Sequence, residues 1–522
     1  MKSIYFQSKA TQICLTLLFV FVNLFSVRAE EVNSVKAGFS SVVLKSCINS
    51  TYEYRYALEA KCMFLEKNQQ TILLYALDFG EVYAEFCTEV QIQVAQKLNI
   101  NPDAILIHTT HTHSGPADHN QGTSEINRKE LINLLINAGA QAISKAQPAK
   151  IKIAEENVGK SLSVYRRGDT QSGLGIQTYW FGYQYAERDD RPEASALINE
   201  MSARWKGKYG NYMPDEKKVY FDGDVDPLVQ TMYFVDMKGK GLGSIVRFSA
   251  HPHTASFFRK HMWDPDFPGH TRRLMERELG GQCLFLQGTS GNIVPKEKVK
   301  YVLWEDYKYD NVYLGPLSEF YAVDENQLQS ETIRIGEEIA KAALRGLSRE
   351  KFARLTSFNF ILKPMNIPIN PALPKSTEEI ETIRRALTAE YNAFLNADGE
   401  LTELRRLANT INWLDWGHSY ALGFINETDR LNGYKPMPYS VLELNAKHIV
   451  FMHSEVSVET ALSLREKYKA ISPWFVSLTG GTISYIPTDR MIDEGGYEGR
   501  NTVIQRGTEP KIREHIEKML GE

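Results

Sequence analysis

His111-Thr112-His113-Ser114-Gly115-Pro116 decides how the rest of this chain is read. It follows the apolar run Ala104-Ile105-Leu106-Ile107, which predicts a buried strand. Side chains two apart on an extended segment face the same way, so both imidazoles lean toward one point at the strand's end. A second pair, His251-Pro252-His253, follows another strand-like run, Ser244-Ile245-Val246-Arg247-Phe248. Two such pairs at two strand ends predict a metal site, with zinc the best match.

Zinc takes nitrogen, sulfur and carboxylate ligands, and a catalytic site leaves one position open for water, whose pKa falls to about 7 when bound. His111 and His251 are the expected ligands. His113 and His253 then serve as hydrogen-bonding neighbours or proton carriers. His108, His119 and His261 read as structural. A third ligand should be acidic, and Glu455 stands at another strand end, after His448-Ile449-Val450-Phe451-Met452.

Outward from these motifs, apolar strand-like runs alternate with amphipathic helical ones. Strands are expected at 71–78, 104–109, 151–154, 229–235, 243–250, 283–287, 440–444, 448–452 and 474–478. Helices are expected at 81–98, 128–146 and 325–347, with another opened by Phe267-Pro268-Gly269, where proline suits a first turn. The pattern predicts an α/β fold: a mixed β-sheet core flanked by helices. Ser376-Thr377-Glu378-Glu379 reads as a capping box opening a helical insertion over about 375–420. No internal repeat or low-complexity linker divides the chain.

The N-terminus is of another kind. Lys2 and Lys9 precede an apolar run from Ile13 to Phe25 and then Val27-Arg28-Ala29, which reads as a signal peptide over 1–29. The expectation is one domain over 30–522, exported to the periplasm or secreted, with no transmembrane segment in the mature chain. With 60 Lys and Arg against 64 Asp and Glu, the net charge of −4 gives no basic surface for nucleic acid. Cys47 and Cys62 are close enough in sequence to pair in an oxidising compartment; buried free thiols are the alternative. Asp222-Gly223-Asp224-Val225-Asp226 lacks a glutamate at the twelfth position of a calcium loop and reads as a solvated loop. Asp78 reads as a partner of the metal site or a helix cap, and Asp266 as a cap.

Taken in order, these motifs resemble the neutral/alkaline non-lysosomal ceramidases, zinc-dependent amidases that split ceramide into sphingosine and fatty acid. Thr110-His111-Thr112-His113-Ser114-Gly115-Pro116 matches that family's Thr-His-Thr-His-Ser-Gly-Pro stretch. Phe248-Ser249-Ala250-His251 is similar to its Phe-Ala-Thr-His segment, and Ser454-Glu455 stands where the family has Gly-Glu with a metal-binding glutamate. The resemblance, in collinear patches from roughly Val35 to Arg500, implies that Tyr485 completes the zinc shell with His111, His251 and Glu455. It implies a catalytic role for His113, a place in the active-site wall for Tyr497, and substrate positioning by Arg166, or by Arg167 on an offset of one. Gly291 and Asn292 are expected to line the substrate pocket through their backbone, or to form a tight turn.

The chain departs from the family in three places. In Gln287-Gly288-Thr289-Ser290-Gly291-Asn292-Ile293-Val294-Pro295 the family's serine falls on Val294, which has no hydroxyl. A tyrosine expected near Glu494 is missing, and nothing after Tyr497 corresponds to the family's C-terminal β-domain. What the resemblance implies is therefore a zinc-dependent hydrolase cleaving an amide bond in a small-molecule or lipid substrate with an N-acyl group, through metal-activated water. The alternatives are a zinc-containing binding protein that lost turnover and a zinc esterase on a different substrate.

Overall fold

The computed structural model describes residues 34–118, 125–169, 176–178, 223–257, 262–297, 301–303, 321–323, 325–397, 403, 407, 410–411, 414 and 423–521. Residues 1–29, His119 and His261 lie outside these. Among the described residues no helix is long and apolar enough to cross a membrane.

The expected mixed α/β architecture is present. From edge to edge the main sheet runs Gln282–Gln287, Gly241–Phe248, Leu228–Asp236, Gln147–Asn157, Lys36–Val43, Glu59–Lys67, Gln70–Leu77 and Ile105–Thr109, with Ala353–Arg354 beside Gln147–Asn157. Its interior pairs are antiparallel, but both outermost pairs are parallel. Parallel neighbours need a crossover, usually a helix. Helix Ala84–Leu98 lies between the strands of one such pair and helix Asp266–Leu279 between those of the other. A second sheet, ordered Phe358–Leu362, Tyr439–Leu444, Lys447–Met452 and Trp474–Val476, ends in a third parallel pair, with helix Val458–Lys467 between its strands.

Alternation along the strands sorts the side chains into layers. Phe39, Met63, Leu65, Leu74, Ile245 and Leu284 of the main sheet share one buried cluster with Leu442, Phe451 and Trp474 of the second sheet. On the other face, Phe64, Leu73, Tyr75 and Leu77 pack with Phe86, Val90, Leu131 and Leu135 of two helices. Val246, Phe248 and Phe285 pack likewise with Phe267, Leu274, Ile335 and Ile339. The helix Arg128–Ser144 approaches closely enough that a Cβ at Gly38 would meet Ala142 O at 2.0 Å, so only glycine fits there.

The two edges of the main sheet are brought together by one segment. Ser477 N donates to Gln287 O at 2.9 Å, Thr109 N donates to Leu478 O at 3.1 Å, and Gly480 N donates to Ile107 O at 2.8 Å. His108 closes this seam: its Nε2 accepts from Gln287 N at 3.0 Å, leaving Nδ1–H to donate to Thr479 Oγ1 at 3.2 Å. Burial lowers its pKa to about 3, in keeping with a neutral structural histidine.

Other expectations are settled by packing. Cys47, Cys62, Cys87 and Cys283 are all buried free thiols, so the 47–62 pair is not formed. In the acidic loop Asp222 lies outside the described residues and Asp224 is exposed as expected, but Asp226 is fully buried, paired with Arg247 and, at 2.6 and 2.8 Å, with both amino groups of Arg465. Asp78 neither caps a helix nor touches an imidazole. It holds Arg272 through two bonds of 2.6 Å and accepts from Glu59 N. Asp266 is the first residue of its helix, preceded by Pro265, and ties Thr254 and Ala255 to the helix start. The insertion is helical over Thr377–Asn396, with Ser376 Oγ accepting from Glu379 N.

Candidate metal centre and active-site cleft

Three parallel pairs deliver their carboxyl ends to one place, which is where α/β sheets bind ligands. His111 follows Ile105–Thr109, His251 follows Gly241–Phe248, and Glu455 follows Lys447–Met452. The turns there are tight. His111, Ser454 and Ser484 have φ of 66°, 64° and 75°, left-handed values that non-glycine residues adopt rarely and that cluster at functional sites. Glu455–Val456 then pairs in parallel with Tyr485–Ile486, setting Glu455 directly beside Tyr485.

The imidazole tautomers follow from their backbone partners. His111 Nδ1 lies 2.8 Å from Gly80 O, and His251 Nδ1 lies 3.1 Å from Ile293 O. A carbonyl only accepts, so each Nδ1 carries the hydrogen and each neutral ring turns a bare Nε2 inward. Both Nε2 atoms face the same carboxylate oxygen: Glu455 Oε2 is 2.8 Å from His251 and 3.2 Å from His111. Three lone-pair atoms so close together call for a shared cation. Without a metal the cation is a proton. Burial alone would lower the His111 pKa, but Glu455 outweighs it and raises the group above its usual value. Burial, followed by the charge of Arg166, lowers His251 to about 4. Glu455 is held well below the carboxylate range by His111 and His251 despite burial. A divalent metal would satisfy the same three atoms without protonating any, so the residues fit a metal.

His113 stands next to this cluster, its ring centroid 4.9 Å from His111 and 5.6 Å from His251. The ligand atoms of His111, His113 and His251 lie within 4.8 Å of one another, a group that can hold a metal ion. His113 has an exposed surface on the cleft, whereas His251 is fully buried. The protein packed around its remaining faces, then His111, His251 and His253, keep its pKa well below the usual value. His253 is one step further out, its Nδ1 bonded to His251 O at 3.0 Å.

A cleft of about 370 Å³ opens over these groups, lined by Tyr52, Glu81, Glu125, Trp263, Tyr485 and Tyr497 as well as His111, His113 and Glu455. The tyrosines meet edge to face, with centroids 5.4 Å apart. Arg166 is fully buried behind them: Nη2 donates to Tyr485 Oη at 3.0 Å and to Gly291 O at 2.7 Å, and Nε donates to Glu498 Oε1 at 2.7 Å. Arg167 takes the other oxygen of Glu498 at 2.9 Å and Glu494 at 3.1 Å. Of the two arginines, Arg166 is the one that touches Tyr485, and it is not among the cleft-lining residues.

Gly291 and Asn292 also stand behind the cleft. A Cβ at Gly291 would meet Glu455 O at 2.9 Å, and Asn292 accepts from Val458 N at 2.9 Å while donating to Glu459 at 2.8 Å. Together they clamp the segment that carries Glu455. Val294 is buried in Ile293–Pro295, paired with Ser163–Tyr165, and the Ser290 hydroxyl is engaged by Gln287 Nε2 at 2.7 Å. Neither lines the cleft.

No family model and no curated protein matches the sequence. Among solved structures, the neutral ceramidase from Pseudomonas aeruginosa superposes with a TM-score of 0.58 at 14% identity, over 93% of this chain and 74% of that one. The chain has the neutral ceramidase fold. A ceramidase complexed with C2 gives a TM-score of 0.57, also at 14% identity, over 93% of this chain and 75% of the other.

Within that ceramidase fold, the cleft-lining residues Tyr52, Glu81, Glu125 and Trp263 went unread in the sequence. Glu81 follows Gln70–Leu77 at a strand end, the same kind of position that singled out Glu455, yet it lies in a run without histidines. Burial, then the Glu455 charge, raise its pKa to about 8. Glu498 was also missed, because its two arginine partners are 331 and 332 positions away.

Proposed function

We propose that the chain is an exported, zinc-dependent hydrolase that cleaves an N-acyl amide bond, ceramide-like in its chemistry, through metal-activated water. The single observation that carries this reading is the convergence of His111 Nε2 and His251 Nε2 on Glu455 Oε2, with both Nδ1 atoms fixed by carbonyls. The likeness in fold to neutral ceramidases supports the reaction class.

His111, His251 and Glu455 would hold the zinc, with Tyr485 beside Glu455 as a fourth contact. Zinc bound there supplies a Lewis acid for the scissile carbonyl and lowers the pKa of water to about 7. His113, on the cleft, would take the proton from water and pass it to the leaving nitrogen. Tyr485 and Tyr497 wall the cleft, and Arg166 fixes the Tyr485 hydroxyl from behind. The signal-like residues 1–29 support export into the periplasm or medium, leaving 30–522 as the working domain.

Val294 favours attack by water over a serine route, since neither it nor Ser290 presents a hydroxyl to the cleft. The same feature favours an acyl substrate other than ceramide as the second reading, an ester included. Fatty-acid release from ceramide and from a matched acyl ester, by zinc-loaded and chelated protein, separates these. Metal-dependent release from ceramide supports the first reading, release from the ester alone the second. Zinc bound without release from either would mean binding without turnover.

A further inference from the structure

We propose that His453, steadied by Tyr439, is a positioning residue that holds the Ser454 turn and so aims Glu455 at the two imidazoles. This rests on reading His111, His251 and Glu455 as the metal site. Tyr439, His453 and Ser454 are all buried, and none of them lines the cleft. Tyr439 Oη lies 2.8 Å from His453 Nε2, and His453 Nδ1 is hydrogen-bonded to Ser454 Oγ. In either tautomer of the neutral ring, one hydrogen sits in each of these contacts.

The relay acts on a turn that a serine does not adopt freely. Ser454 has a φ of 64°, a left-handed value that strains residues other than glycine. Its hydroxyl oxygen also accepts from Ile483 N at 2.9 Å, which ties His453 to the segment leading into Tyr485. The backbone is tied as well: Ser454 N donates to Gly481 O at 3.1 Å, and Ser454 O accepts from Leu478 N at 3.2 Å. Glu455 N then donates to Ser484 O at 3.2 Å. The His453 ring is fixed in turn by Tyr439, which it meets edge to face with centroids 5.0 Å apart. Tyr439 stands opposite Met452 in the second sheet, so the turn is anchored to that sheet through a side chain. A metal ligand binds well when its supports hold it in place before the ion arrives, and loss of such a support typically costs about 10–100-fold in affinity.

The test compares His453→Leu with His453→Asn. The two new side chains are close in shape, but only asparagine keeps a hydrogen-bonding group near the place of Nδ1. Zinc affinity is measured by competition against a chelating dye, with thermal melts of the metal-free proteins beside it. His453→Leu should bind zinc at least about tenfold more weakly than the parent, and His453→Asn should recover most of that loss. Tyr439→Phe removes a single oxygen and decides the matter if His453→Leu does not fold. It should weaken zinc binding about fivefold, the equivalent of one hydrogen bond. Parental zinc affinity in His453→Leu, or in Tyr439→Phe where that variant decides, overturns the proposal and leaves the metal site standing. Equal losses in the leucine and asparagine variants overturn it too, since packing alone would then account for both. A parent protein that binds no zinc overturns the metal site and the proposal together.

Discussion

His251 Nε2 lies 2.8 Å from Glu455 Oε2 across a sequence separation of 204 residues. Neither group has a proton to give the other when His251 is neutral, because its Nδ1–H is committed to Ile293 O. Glu455→Gln would replace one carboxylate oxygen by an amide and remove the charge that draws a metal to the imidazoles. Zinc affinity should fall at least about 100-fold, beyond what loss of an outer hydrogen-bonding partner causes. Competition of the two proteins against a chelating dye measures this; unchanged affinity would remove Glu455 from the metal site.

Glu498 neutralises two buried guanidiniums, one of which orients Tyr485. Glu498→Ala strands both, and breaking a buried pair typically costs about 3–5 kcal/mol. The variant should unfold at a clearly lower denaturant midpoint. It should also bind zinc more weakly, since Tyr485 loses the donor that fixes its hydroxyl. A stability loss with intact zinc affinity would confine Glu498 to folding.

Gly291 packs against the backbone that carries Glu455, and an added Cβ would meet Glu455 O at 2.9 Å. Gly291→Ala should cost about 1–3 kcal/mol, the range for overpacking, and should move Glu455 away from the imidazoles. Thermal melting with and without zinc checks both effects. Stabilisation by zinc should be smaller in the variant than in the parent protein.

Asp226 gives a pH dependence with a definite sign. Burial would raise its pKa, but Arg247 and Arg465 outweigh burial and hold it well below the carboxylate range. Its folded-state pKa is thus depressed, so its stabilisation is present above the unfolded value of about 3.9 and is lost as pH falls toward the folded one. Asp226→Asn should destabilise the protein at pH 7, and the gap to wild type should shrink below about pH 4. Urea titrations from pH 7 to pH 3 read this. A constant gap would show that the pair contributes no charge-dependent stability.

The helices and the apolar strands were legible because their periodicity reports burial directly. Ile105–Thr109 and Lys447–Met452 fall within a residue of expectation, and both carry site residues at their ends. Lys36–Val43 was not legible: its Gly38, Ser40 and Ser41 break the apolar pattern, although Gly38 is what lets a helix approach. Glu59–Lys67 hides behind Lys61, whose buried charge is answered by Glu59 and Glu276. Gln147–Asn157 runs well past the four residues expected, since its pairing along Leu228–Asp236 continues through Lys150 on one side and Glu155 and Glu156 on the other. At the site, His111, His251 and Glu455 were readable as strand-end residues. The closure of the sheet edges through Ser477–Gly480, which brings them together, depends on backbone hydrogen bonds that no local pattern records.

Zinc titration of the protein beside His251→Ala is the most direct test of the metal centre. One tightly bound zinc per chain in the parent, and at least about 100-fold weaker binding in the variant, is the predicted result. A parent protein that binds no zinc, or a variant that binds it equally well, would contradict a metal held by His111, His251 and Glu455.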